Sequence, residues 1–160
     1  MESTWVVLAD EGRARILEMR TEGRDLEEVE ELTWPAAHAQ NADFRHDAHG
    51  RRSPPDGYGG APNVQTMGAN NTESAGEEKL AHEAERFARR VAERLAEAHR
   101  QHRYERLHIA AAPKFLGRLR RVLDEEVSAS VVDELDKDLL QLDRRALTQR
   151  LFPPGAAGRA

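Results

Sequence analysis

A single-domain α/β fold on a five-stranded mixed sheet follows from three features of this sequence. A strand-like run, Leu107 to Ala111, stops at Pro113, and an apolar helical pattern begins at once with Phe115, Leu116, Leu119, Val122 and Leu123. Pro113 suits a first helical position, where its missing N–H costs nothing and its fixed φ is already helical. Upstream, three short strand-like runs separated by tight turn signals precede one long amphipathic helix. Finally, 160 residues supply one sizeable core and would cramp two.

Trp5 to Ala9 reads as a buried strand and Asp10-Glu11-Gly12 as a tight turn, with Asp10 as its polar opening. Arg13 to Met19 alternates, placing Ala14 and Ile16 on one face. Thr21 to Asp25 is a second turn, and Leu26, Val29 and Leu32 mark a third strand whose acids face water, as an edge strand requires. Residues 35–76 lose periodicity and collect Pro35, Pro54, Pro55, Gly57, Gly59, Gly60 and Pro62, the composition of a long flexible loop. Ser74-Ala-Gly-Glu77 has capping-box spacing, which predicts a helix start with Glu77 and Glu78 in its first turn and Arg100 near its end. Leu80, Ala84, Phe87, Ala88, Val91, Leu95 and Ala98 form its apolar face. Val131, Val132 and Leu135 suggest a fifth strand, and Asp143 can cap a last helix, with Leu142 and Leu147 as a hydrophobic staple.

The order is βββαβαβα. Two hairpins and a right-handed helical crossover lay the fourth strand parallel to the first, giving strand order 3-2-1-4-5 with helices on both faces. This is a ribonuclease H-like arrangement. The domain is expected to span 1–152, with 153–160 as a disordered tail.

Charge narrows the function classes. A net charge of -5 argues against nucleic-acid binding by the whole surface, yet the distribution is uneven. Acids dominate Glu18 to Glu31, whereas Arg100 to Arg121 holds seven cations against Glu105 alone. Absent cysteine, there are no disulfides, thiol nucleophiles or thiolate metal sites. The first residues lack the basic and apolar regions of a signal peptide, and no run is long enough to span a membrane, so a cytoplasmic protein without a membrane partner is expected.

Four segments carry a family resemblance: Trp5 to Ile16, His82-Glu-Ala-Glu-Arg-Phe-Ala88, Ala111-Ala-Pro-Lys-Phe-Leu-Gly117 and Glu134-Leu-Asp-Lys-Asp-Leu139. Together they resemble the bacterial host attachment proteins, a family named for a requirement in attachment to host cells. That family is similar to the middle domain of archaeal and eukaryotic class I release factors. In those factors a Gly-Gly-Gln loop before the long helix enters the peptidyl-transferase centre. Here Gly59-Gly60 is followed by Ala61-Pro62-Asn63 and Gln65 is displaced, so peptidyl-tRNA hydrolysis is not implied.

Other chemistry is sparse. Asp10 could serve a two-metal nuclease, but the fourth strand offers no second acid. His46 and His49 could meet around a divalent ion, but no regular element fixes them. Lys114, beside the helix N-terminal amides, can hold an anion or stand as a solvated lysine. With Arg103, Arg118 and Arg121 it forms the candidate RNA-binding set. Asp10, Arg13, Asp136 and Lys137 form a strand-end polar cluster, which with Lys114 would be the basis of any small-molecule or hydrolytic site. The leading expectation is a non-enzymatic, cofactor-free module associated with RNA or the ribosome. The alternative is an adaptor that binds a protein partner and acts indirectly in host attachment.

Overall fold

The computed structural model describes residues 3–20, 25–35 and 66–155, with 66–74 described in their backbone alone. Along the chain run β1 (Thr4–Ala9), β2 (Arg13–Met19), β3 (Glu27–Thr33), α1 (Thr66–Arg100), β4 (Arg106–Ala111), α2 (Pro113–Val122), α3 (Glu125–Ser130), β5 (Val131–Leu135) and α4 (Arg144–Leu151). The strands form one sheet in the order β3-β2-β1-β4-β5, as the sequence predicts. β2 is antiparallel to β1 and β3, while β4 is parallel to β1 and β5.

Central β1 is covered on both faces, which is why it reads as a continuous apolar run rather than an alternating one. Trp5, Val7 and Ala9 join the larger core with Ile16, Ile109, Phe87, Val91, Leu95 and Phe115 beneath α1 and α2. Val6 and Leu8 point the other way, into a smaller core with Leu17, Met19, Leu26, Leu140 and Leu147. Helices therefore sit on both faces, but unequally: α1, α2 and α3 cover one, and α4 with the Leu139–Leu142 segment covers the other.

Local signals hold at three points. The Asp10 carboxylate accepts from the N–H groups of Gly12 and Arg13, each at 2.8 Å, closing the first turn. Asp143 caps α4 by accepting from Ala146 N at 2.8 Å. Leu142 and Leu147 both enter the smaller core, consistent with the expected staple.

Three expectations are corrected. Helix α1 begins at Thr66, so 66–76 are helical backbone rather than the end of the 35–76 loop, and Glu77 and Glu78 do not lie in the first turn. The Gly- and Asn-containing lead-in disfavours helix only weakly, and propensity of that size is readily overridden. Residues 36–65, including the remainder of that loop, lie outside the described residues. Secondly, α3 was not expected; Asp124 caps it by accepting from Glu126 N at 2.9 Å and Val127 N at 3.2 Å. Thirdly, the β3 acids face water as expected, but they are also paired. Glu28, Glu30 and Glu31 pair with Arg15, Arg94 and Arg13, because β2 and α1 bring arginines alongside that edge.

With 35 residues, α1 is about 52 Å long, against about 20 Å for a six-residue strand. Among the residues of α1 described with their side chains, the buried ones run from Ala84 to Ala98.

Candidate anion-binding face

The β4–α2 junction is built from the sequence in the expected way. Pro113 occupies the first turn of α2, and Ala112 provides no side-chain cap. The N–H groups of Lys114 and Phe115 have no acceptor four residues back within the helix, and the first such bond is Leu116 N to Ala112 O at 2.9 Å. Phe115, Leu116 and Leu119 are buried, with Val122 and Leu123 packed at the core's margin, which orients the rest of the helix surface.

Lys114, Arg118 and Arg121 recur at i, i+4 and i+7, one stripe separated by about 6 Å and then about 4.5 Å along the axis. Lys114 and Arg121 are exposed. Arg118 is half-buried, and its Nε is enclosed without a hydrogen-bond partner among the described residues. Arg13, Arg15, Arg20, Arg86, Arg94 and Arg120 all have carboxylate partners. Lys114, Arg118 and Arg121 have none among the described residues. On the other flank of α2, Arg120 meets Glu134 of β5 at 2.5 Å.

Arg103 does not belong to this stripe. It precedes β4, whereas Lys114 follows it, so the two stand at opposite ends of a strand about 20 Å long. The Arg103 guanidinium lies 5.7 Å above the buried Trp5 ring, a cation–π position. Nearness in sequence misled here because a crossing strand separates residues that read as one basic run.

The strand-end polar residues do not assemble either. Asp10, Lys114 and Asp136 share the C-terminal edge of the parallel strands, but no hydrogen bond or ion pair joins them. The Asp10 carboxylate serves its own turn, Arg13 pairs with Glu31 at 2.5 Å, and Asp136 and Lys137 are exposed beyond β5. Among the described residues no three His, Asp or Glu side chains are grouped to hold a metal. His46, His49, Gly59, Gly60 and Gln65 lie outside the described residues.

Three polar residues have surroundings that the sequence alone did not reveal. Arg15 is buried on β2 and donates to Leu140 O and Leu142 O, both at 2.8 Å, while pairing with Glu28. Its signal was a charged residue between Ala14 and Ile16 on an inward-facing strand, which requires partners. His108 meets Phe152 edge-on at 4.8 Å, with its Nδ1 enclosed and without a hydrogen-bond partner among the described residues. Burial lowers its pKa below the ordinary value, with Asp133 pulling it up and Arg106 pushing it down. Tyr104, buried against Trp5 at 5.0 Å, donates its hydroxyl to Leu95 O at 2.7 Å, and burial raises its pKa.

The fold and this face define an α/β protein with a five-stranded mixed sheet and, on α2, a stripe of cations without carboxylate partners among the described residues. Residues 5–151 match the family described as "Protein required for attachment to host cells", and the chain belongs to that family. No curated protein matches the chain. Among the described residues no helix is long and apolar enough to cross a membrane.

Proposed function

We propose that the protein serves host attachment indirectly, as a cytoplasmic, non-enzymatic module associated with RNA or the ribosome. The observation that carries this reading is the stripe of Lys114, Arg118 and Arg121, held at helical spacing without carboxylate partners among the described residues. In a chain of net charge -5, where many other arginines are neutralised by glutamate, such a face favours a directed anionic contact. Phosphate backbones are the anions that reward several cations in a row, because each contact releases a counterion. A kinship with release-factor middle domains belongs to the same reading and would place the contact on the translation machinery. The family's association with host attachment would then reflect the synthesis of surface components rather than adhesion by this chain.

The test is cosedimentation with purified ribosomes at low and moderate salt. The protein should pellet with ribosomes at low salt and be released as salt rises. Lys114→Ala with Arg118→Ala and Arg121→Ala should remain in the supernatant while staying folded. Absence of the wild-type protein from the ribosomal pellet in both conditions refutes the proposal.

A further inference from the structure

The cations of α2 face others on α1. The two helices pack along one another, with the Phe87 and Phe115 rings 5.7 Å apart. Side-chain contacts fix which flank of each helix meets the other. On α1, Arg94 and Glu83 reach Glu30 and Trp34 beside β3, so the opposite flank, beyond buried Ala88 and Ala92, is turned toward α2. At 3.6 residues per turn, that outer flank carries Arg89 and Arg100. On α2, Arg120 faces Glu134 of β5, so Lys114 and Arg118 lie on the side toward α1. Arg89 and Arg100 are exposed and, like the α2 stripe, have no carboxylate partner among the described residues. Acids border the groove too: Glu85 and Glu93 on α1 and, at the Arg100 end, Glu126 of α3, which lies 3.9 Å from His99.

Building on the RNA reading above, we propose that an RNA phosphate backbone lies along the α1–α2 groove, gripped by Arg89 and Arg100 on one wall and by Lys114, Arg118 and Arg121 on the other. The length of the groove favours a polymer over a small anion. Arg89 and Arg100 are separated by about 16 Å along the helix axis, too far for one phosphate to touch both. A polymer that repeats its phosphates along one strand can meet both arginines at once. The outer surface of α2 is also open at Gly117, where an added Cβ would meet no atom within 4 Å.

Fluorescence anisotropy with a labelled RNA, as a single strand and as a duplex, across a salt series tests this on the full chain. Arg89→Ala with Arg100→Ala should weaken binding of the tighter form and reduce the slope of log affinity against log salt by about one per arginine. Arg144→Ala with Arg145→Ala, on exposed α4 positions across the sheet, should leave both unchanged. Circular dichroism should show both variants folded, since the replaced side chains are exposed. If the wild type binds RNA and the Arg89/Arg100 variant binds with the same affinity and slope, the groove is not the track, although the RNA reading stands. An α4 variant that loses as much as the α1 variant equally overturns the groove. If the wild type binds neither RNA form, the functional reading falls and the groove with it.

Discussion

Arg15→Met should destabilise the protein by about 3 kcal/mol, although it replaces a charge in the interior with an apolar side chain of similar length. The Arg15 guanidinium donates to Leu140 O and Leu142 O at 2.8 Å each, fastening the segment before α4 to the underside of β2. A charged hydrogen bond contributes about 1.5–3 kcal/mol, and each carbonyl left unsatisfied in a buried place costs about 1–3 kcal/mol. The Leu140 bond is buried and the Leu142 bond only part-buried, so we assign about 2 and about 1 kcal/mol respectively. The ion pair adds little, because the Glu28 side chain is 41% exposed and water screens it. Urea unfolding followed by far-UV circular dichroism should therefore show a lower midpoint at an unchanged m value. Glu28→Gln should cost less than about 1 kcal/mol in the same assay. A loss below about 1 kcal/mol for Arg15→Met, or an equal loss for Glu28→Gln, would show that the carbonyl clamp does not hold this layer.

Phe115→Ala removes a fully buried ring stacked beside Phe87 and should cost about 3–5 kcal/mol in urea; a loss under about 1 kcal/mol would mean that α2 is not anchored there. Asp143→Ala deletes the α4 cap and should cost about 1 kcal/mol, whereas Asp143→Asn should retain most of it; equal losses would exclude capping as the cause. His108 has a lowered folded pKa, so the unfolded chain takes up its proton first as pH falls from about the ordinary value of 6.5, and stability drops until the folded pKa is passed. His108→Gln should flatten that decline between neutral and mildly acidic pH, and an unaltered slope would assign the decline to other groups.

Much of the fold was legible because its signals are local. The unbroken apolar run of β1, Asp10 before Gly12, Pro113 at the β4–α2 junction and Asp143 before α4 each act within a few residues, and the strand order follows from connection rules. What sequence missed depends on distance. The Arg15 carbonyl acceptors lie 125 and 127 residues away, so its burial was invisible until the layers met. The α3 helix had a local signal, Asp124 before Glu125-Glu126-Val127, but six residues lie near the lower limit for periodicity to register. The candidate face was half legible. Helical spacing predicted the alignment of Lys114, Arg118 and Arg121, while the separation of Arg103 needed the relation of β4 and α2 in space.

The most direct test of the central claim is ultraviolet crosslinking of the protein to RNA in its native cells, with peptide mapping and nuclease treatment before capture. RNA crosslinks are expected within residues 113–122 and on the α1 segment bearing Arg89 and Arg100, with loss of co-captured partners after nuclease. Nuclease-resistant capture of a protein partner, with no RNA crosslink on either helix, would contradict it and establish the chain as a protein-binding adaptor.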